Sequence, residues 1–123
     1  MPKKANCDDK MMDDCLFCKI IDGQIPSTKV YESQDILVFK DITPKAEVHL
    51  LVIPKKHIIG LNDLLPEDQQ LMGKMMLLLP QLAKEQNLDD GFRTIINTGK
   101  GGGQEVFHLH IHLLGGSKPL PFA

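Results

Sequence analysis

The hydrophobic and polar positions of the chain follow two different periods, which predict several strands and one long helix. Short apolar runs bounded by turn residues are typical of strands. The predicted strands are residues 29–32, 36–40, 48–53, 92–97 and 106–114. The run at 48–53 is almost continuously apolar, which is typical of a central strand covered on both faces.

Residues 66–87 instead have the spacing of an amphipathic helix. Pro66 suits the first turn, and Glu67 and Asp68 favour the positive end of the helix dipole. Pro80 is expected to kink or split this helix, because it removes one backbone hydrogen bond. The apolar stripe predicted to face the core consists of Leu71, Met75, Met76, Leu79 and Leu82.

A second, shorter helix is predicted at residues 15–21, capped by Asp14 and ended by Gly23. Residues 1–13 are polar and are interpreted as a loose N-terminal tail. Several strands joined by short turns, together with one long helix, predict a single α+β domain over residues 14–123.

The composition narrows the class of protein. The 123 residues suit one domain, and 42% of them are hydrophobic, which is enough for a core. The net charge of -2 lacks the basic excess of nucleic-acid-binding proteins. Three cysteines are too few for a disulfide scaffold and favour a reducing compartment. Neither a secretory signal nor an apolar span of ~20 residues is present, so we expect a cytoplasmic protein with no membrane partner.

Three of the five histidines, His108, His110 and His112, alternate with single apolar residues near the C-terminus. In a strand this spacing puts all three imidazoles on one face, roughly 6.6 Å apart, with Phe107 and Leu109 directed into the core. Three interpretations follow: separate surface histidines, a metal site, or a catalytic group in which one imidazole attacks and its neighbours support it.

The histidine row belongs to a longer set of motifs. H-L-H-I-H-L-L at residues 108–114 matches the signature of the histidine triad (HIT) family, His-φ-His-φ-His-φ-φ, at every position. The stretches F-C-K-I-I, D-I-T-P, H-L-L-V-I-P-K-K-H and G-G-Q-E-V-F resemble the bacterial-type Hint branch of that family. The resemblance covers residues 16–117.

The resemblance implies a purine nucleoside phosphoramidate hydrolase of the adenosine 5′-monophosphoramidase type. Such an enzyme cleaves a P–N bond through a nucleotidyl-histidine intermediate and releases an amine and a nucleoside monophosphate such as AMP. The implied fold is a five-stranded antiparallel sheet with two helices, and the sheet continues across a homodimer. The implied chemistry requires no metal.

Site residues are carried over by position. The resemblance implies His110 as the nucleophile and His112 as the contact to the phosphate and leaving group, with His108 and His49 supporting the nucleophile. The other implied contacts are to the nucleotide. They are Asn97, Gly103, Gln104 and Val106 at the phosphate, Asp41 at the ribose, and Phe17, Ile20, Phe39, Ile42 and Leu51 around the base.

Two further features concern the phosphate. The glycine-rich loop at 98–103 is expected to offer backbone N–H groups to it. Glu105 stands where some relatives carry a phosphate-contacting serine, and an ionised carboxylate cannot donate a hydrogen bond. An enzyme with clustered imidazoles next to such a loop suits two-step displacement at phosphorus.

Cys15 and Cys18 form a C-x-x-C pair that suits zinc if two further ligands are available. Some HIT relatives, among them the galactose-1-phosphate uridylyltransferase branch, hold a structural zinc with two cysteines and two histidines. By that resemblance His49 and His108 are the candidate partners. The alternative is a pair of reduced cysteines without metal. His57 is predicted to be a surface or loop residue.

Two other functions stay open from the sequence. A dinucleoside polyphosphate hydrolase shares the histidine triad, and a non-catalytic purine nucleotide-binding or zinc-binding interaction protein could retain it. The leaving amine and the choice between adenine and guanine also stay open, because an apolar pocket reads ring shape better than exocyclic groups.

Overall fold

The structure, a computed structural model, describes residues 15–121. The predicted tail and the predicted cap Asp14 lie outside the described residues. Within that part of the chain, no helix combines the length and the apolar character needed to cross a membrane.

The centre of the fold is an antiparallel sheet, with five strands in the described part of the chain and the order β1-β2-β3-β5-β4. The predicted α+β class with a five-stranded antiparallel sheet is therefore confirmed. The strands are β1 Lys29–Glu32, β2 Ile36–Lys40, β3 Val48–Pro54, β4 Arg93–Ile95 and β5 Ile111–Gly115.

Strand β3 lies in the middle of the sheet and is covered on both faces, as its continuous apolar sequence predicted. Leu50 and Val52 pack in the cluster under the long helix. Leu51 and Ile53 point the other way and pack with the short N-terminal helix. This alternation follows from the two-residue period of a strand.

Over residues 15–121 the two α-helices are α1, Leu16–Ile21, and α2, Gln69–Glu85, which follows a 3₁₀ turn at Pro66–Asp68. Pro80 lies inside α2 without splitting it. It is exposed, so water can satisfy the carbonyl that loses its helical partner.

The buried face of α2 differs from the predicted stripe in one residue. Met76 is 45% exposed, whereas Leu78 and Ala83 are buried. The helix is therefore rotated slightly from the orientation that the sequence spacing indicated, and Met76 lies on an outer apolar face next to Leu77, which is 78% exposed.

The predicted strand at 106–114 is wrong over its first half, because β5 begins only at Ile111. The preceding residues bond to the chain that leaves β3 instead: the Leu109 N–H donates to the Ile58 oxygen at 2.6 Å. Phe107 is 44% exposed and does not enter the core. Of the three triad histidines, only His112 therefore lies in β5. Leu109 is fully buried, as predicted.

Candidate active site

A cleft of about 690 Å³ opens between the sheet and α1. It brings together most of the residues predicted at the nucleotide. Those lining it are Phe17, Ile20, Phe39, Asp41, Ile42, Leu51, Asn97, Gly103 and Val106, with the histidines His49, His110 and His112. A volume of this size suits a small organic ligand.

One end of the cleft is apolar and the other is polar. Phe17 and Phe39 meet edge to face with their ring centroids 5.5 Å apart, and both are buried. Phe17 also lies edge to face with His110, at 5.1 Å. The apolar end therefore borders directly on the imidazoles, as a site for a flat ring next to a reacting group requires.

His110 has its proton placed by the main chain. Its Nδ1 lies 2.7 Å from the His108 oxygen. A carbonyl oxygen only accepts hydrogen bonds, so Nδ1 carries the proton and Nε2 carries the lone pair. His110 lines the cleft, so its Nε2 is the available nucleophilic atom.

His112 and His49 form a second pair. The Lys45 N–H donates to His49 Nδ1 at 3.0 Å, which leaves the proton of neutral His49 on Nε2. That nitrogen lies 2.9 Å from His112 Nδ1 and donates to it. The proton of neutral His112 is then on Nε2. His49 thus contacts His112, and its predicted role in supporting and orienting the nucleophile stays a prediction.

Burial lowers the pKa of all four of these imidazoles. It brings the pKa of His108 and of His112 to about 4, and it also lowers those of His110 and His49. The neighbouring histidines lower the pKa of His112 further, while the negative charge of Asp41 opposes the shift. At neutral pH the ligand-free site therefore holds neutral imidazoles.

Asp41 is held at the polar end of the cleft. Its Oδ1 accepts from the Thr43 N–H at 2.9 Å and from the Thr43 hydroxyl at 3.2 Å. Its Oδ2 lies 3.4 Å from His49 Nε2. The carboxylate thus faces both the predicted ribose position and the histidine pair.

The glycine loop differs from the prediction. The N–H groups of Gly103 and Gln104 bond to the carbonyls of Lys100 and Gly99 within the turn, so they are not directed at a phosphate. Gly103 has φ of +85°, a left-handed conformation that suits glycine. Among the described cleft residues, Asn97 offers a side-chain amide at the position predicted for phosphate contact.

Gln104 braces this loop from inside. Its amide nitrogen donates to the Ile59 oxygen at 2.6 Å and the Val106 oxygen at 3.0 Å, and its amide oxygen accepts from the Gly99 N–H at 2.8 Å. Gln104 is buried and, unlike its neighbours Gly103 and Glu105, is not among the described residues that line the cleft. It therefore supports the loop, rather than contacting the phosphate as predicted. Glu105 is exposed.

His108 turns away from the cleft and enters a second group, here called the Cys–His cluster. Its members are Cys15, Cys18, His57 and His108, whose ligand atoms all lie within 4.8 Å of one another. These residue types are those of a structural zinc site, and the cluster could hold a zinc ion.

Its fourth member corrects the predicted ligand set. His49 is not part of the cluster, since it lies with Asp41 and His112 on the cleft. His57, predicted to be a surface or loop residue, takes that place because the chain turns back beside the triad after β3. In the sequence, the C-x-x-C pair indicated that further zinc ligands were needed. The spacing of the histidines along the chain does not show whether His49 or His57 is one of them.

Four distances within the Cys–His cluster are close to those of a tetrahedral zinc site. Nitrogen and sulfur are 3.3 Å apart for Cys15–His108 and Cys18–His57 and 3.6 Å apart for Cys18–His108. The two imidazole Nδ1 atoms are 3.2 Å apart. Tetrahedral zinc has bonds of about 2.05 Å to nitrogen and 2.3 Å to sulfur. Its nitrogen and sulfur ligands are then about 3.6 Å apart, and two nitrogen ligands are about 3.3 Å apart.

Cys18 is disulfide-bonded in the structure, whereas Cys15 is a free, buried thiol. Burial raises the pKa of the Cys15 thiol, and a bound cation would favour its thiolate. A four-ligand site therefore requires reduction of Cys18 first.

Comparison with known proteins identifies the family. The family profile described as "Scavenger mRNA decapping enzyme C-term binding" matches residues 14–123. Protein HitA of Neisseria gonorrhoeae is 59% identical over 104 residues, covering 85% of this chain and 97% of that protein. The purine nucleoside phosphoramidase of Escherichia coli K12 is 42% identical over 111 residues, covering 89% of this chain and 92% of the enzyme.

A solved structure gives the same result for the fold. The HIT family hydrolase from Legionella pneumophila is 48% identical, with a TM-score of 0.82, and the match covers 85% of this chain and 94% of that one. The agreement extends over sequence and fold, and the chain therefore belongs to the histidine triad family.

Proposed function

We propose that the protein is a purine nucleoside phosphoramidate hydrolase, of the adenosine 5′-monophosphoramidase type. The observation that carries this proposal is the 2.7 Å contact of His110 Nδ1 with the His108 oxygen, which leaves Nε2 of a cleft-lining imidazole as the nucleophile. The likeness to an Escherichia coli enzyme named purine nucleoside phosphoramidase supports the same substrate class.

The nucleotide would bind with its base at the apolar end of the cleft, between Phe17 and Phe39, and with its ribose near Asp41. Its phosphate would then reach His110 and His112, with the amide of Asn97 as a further donor. The bound phosphate adds negative charge beside His112 and raises its pKa, so that His112 takes up a proton at Nδ1 when the substrate binds. The His49 Nε2–H then turns to Asp41 Oδ2, 3.4 Å away, and His112 Nε2 is left to exchange protons in the cleft.

In the first step His110 Nε2 attacks phosphorus and forms a P–N bond to the enzyme. The bond from phosphorus to the leaving amine breaks, and protonated His112 gives that nitrogen its proton, so a neutral amine leaves. In the second step water attacks phosphorus, and neutral His112 accepts its proton. The electron pair of the broken bond returns to His110 Nε2, and a nucleoside monophosphate is released.

The first test is AMP release from adenosine 5′-phosphoramidate by the wild type and His110→Ala, with a chelator present in both assays. Wild-type release together with loss of more than about 10³-fold in the variant supports the proposal. Equal turnover in the two proteins would contradict the role of His110. Cleavage of a dinucleoside polyphosphate but not of the phosphoramidate would favour the other hydrolase class.

We also propose a homodimer. Strand β4 forms one edge of the sheet in the described part of the chain, and an edge strand can pair with a second copy. The outer face of α2 is apolar as well, with Leu77 78% and Met76 45% exposed and Gly73 permitting close approach. A second copy that covers both features would extend the sheet and bury this face.

A further inference from the structure

We propose that the Cys–His cluster positions the nucleophile: when it binds a zinc-type divalent cation, it holds His108, whose main-chain oxygen orients His110. The inference rests on the proposed function for its kinetic consequence. It adds to that function a positioning role for Cys15, Cys18 and His57, whose side chains contact no substrate in the proposed reaction.

The tautomer of His108 is set by a main-chain contact. Its Nε2 lies 2.8 Å from the Pro54 oxygen, so this nitrogen carries the proton and donates it. The lone pair is then on Nδ1, which is the atom directed at Cys15, Cys18 and His57. A buried imidazole with its other nitrogen bonded to a carbonyl is the usual form of a metal-ligating histidine.

His108 connects the Cys–His cluster with the nucleophile His110. Its Nδ1 belongs to the Cys–His cluster, and its main-chain oxygen accepts the Nδ1 proton of His110. The side chain of His108 is fully buried and bonded to the Pro54 oxygen, so the packing around it leaves the ring little room to move apart from its backbone. A cation that fixes Nδ1 therefore restricts the hydrogen bond that sets the His110 tautomer.

Residues 106–110 lie outside β5 and have no regular strand ladder. The Leu109 N–H bonds to the Ile58 oxygen, and His108 Nε2 bonds to the oxygen of Pro54 at the end of β3. His57 lies in the chain that leaves β3. A cation bound by both His57 and His108 would tie the two segments together at the point where a regular strand ladder is missing.

The Cys–His cluster lies apart from the walls of the nucleotide cleft. Among the described residues, neither His57 nor Cys15 lines the cleft. A change at His57 thus alters the cluster without removing a wall of the nucleotide site. Loss of the cation is expected to lower kcat about 10-fold, in the range seen when outer-shell partners of a site are removed, with KM changed by less than about 2-fold.

The test uses the full chain, reduced with a non-chelating phosphine, then stripped of metal and reloaded with one equivalent of zinc. Metal content is measured by mass spectrometry, and ¹⁵N NMR of the imidazole rings reports the tautomer of His110. The variants are His57→Asn, which removes a ligand, and His57→Cys, which supplies a different zinc ligand. Asn62→Ala, an exposed residue of the following turn, is the control.

The proposal expects one bound zinc per chain and a single Nδ1–H form of His110 in the loaded wild type. Metal-free protein and His57→Asn should show a mixture of tautomers and the lower kcat, and His57→Cys should restore both readouts. Asn62→Ala should match the wild type. An unchanged His110 spectrum on metal removal would overturn the coupling, and failure of the reduced protein to bind zinc would overturn the site. If no phosphoramidate is hydrolysed in any state, the proposed function fails, while the NMR readout still decides the coupling.

Discussion

His49 Nε2 lies 2.9 Å from His112 Nδ1, and this contact determines which nitrogen of His112 faces the cleft. His49 is itself oriented by the Lys45 N–H on its Nδ1. The main chain thereby places a proton on His112 Nε2 through two imidazoles. A chain of this kind is the tautomer control that general acid–base chemistry needs.

Replacing His49 tests this chain directly. His49→Leu removes the donor to His112 Nδ1 and should lower kcat on the order of 10²-fold, the usual contribution of a proton-transfer group. His49→Gln is the matched variant, because its amide nitrogen can occupy nearly the position of Nε2 and should retain most activity. Steady-state kinetics on adenosine 5′-phosphoramidate give the comparison. Equal losses in the two variants would contradict a donor role for His49.

Nucleotide binding should draw a proton onto His112. The pKa of His112 is about 4 in the ligand-free site because of burial and the neighbouring histidines, and a bound phosphate raises it. Calorimetry of AMP binding near pH 6, in two buffers of different ionisation enthalpy, should show proton uptake that declines as the pH rises above the pKa of the complex. His112→Asn should bind AMP without that uptake; a wild type that takes up none would exclude His112 as the acid.

Gln104 should matter for the loop rather than for the phosphate. Gln104→Glu places a carboxylate against the Ile59 and Val106 oxygens that now accept hydrogen bonds. We expect a loss of about 1–3 kcal/mol in the free energy of unfolding, measured in urea. The control is Glu105→Gln, an exposed neighbour that should stay within about 0.5 kcal/mol of the wild type. Similar values for both variants would show that the loop does not depend on Gln104.

Asp68 is expected to stabilise the start of α2. Its carboxylate accepts from the Leu65 N–H at 2.9 Å and from Lys56 at 2.5 Å, and both interactions lower its pKa, the Lys56 bond most strongly. Asp68→Ala should cost about 1 kcal/mol of unfolding free energy at pH 7. Glu67→Ala, whose partner bond to Lys56 is exposed, should cost less than about 0.5 kcal/mol.

The pH dependence of that difference has a definite sign. The pKa of Asp68 is lower in the folded protein than its ordinary value of 3.8. Its ionised form therefore stabilises the fold above that value, and the contribution is lost as the pH falls through the folded pKa. Urea midpoints of the wild type and Asp68→Ala should draw together as the pH falls below 3.8 and should coincide only below the folded pKa of Asp68. A difference that persists at the lowest pH would point to packing instead.

The outer face of α2 provides the test of the homodimer. Light scattering of the wild type should give about 27 kDa, twice the chain mass of 13.7 kDa. Leu77→Glu puts a charge on the apolar face and should shift the protein to the monomer mass. Gln34→Glu adds the same charge at an exposed residue of the turn between β1 and β2, at the opposite end of the sheet from β4, and should leave the dimer intact. A monomeric wild type would refute the shared sheet.

Local sequence patterns predicted burial correctly where the contacts of a residue depend on the helix or strand that contains it. The apolar run of β3 predicted burial on both faces, and its side chains alternate between two clusters for that reason. The pattern failed at residues 106–110, where alternation indicated a strand. There His108 and Leu109 form hydrogen bonds to the Pro54 and Ile58 oxygens, more than fifty positions away. A pattern of neighbouring residues contains no information about such distant partners.

The same distinction separates His57 from His49. Both were histidines without a pattern of their own, and resemblance selected His49 as the metal ligand. The structure places His57 next to His108 because the chain after β3 turns back along the triad, while the register of β3 with β5 puts His49 beside His112. Which residues can bind one metal ion depends on where the chain turns back on itself, and the packing of the whole domain decides that.

By itself, the sequence determined the family, the α+β sheet and which histidines form the triad, since these depend on motifs and periods within a few neighbouring residues. Only the tertiary structure decided what each histidine does with its two nitrogens. His110, His108 and His49 each bond to a main-chain group, and the tautomers follow from those bonds. Because a hydrogen bond requires two groups within about 3 Å, its partners exist only once distant segments have packed together.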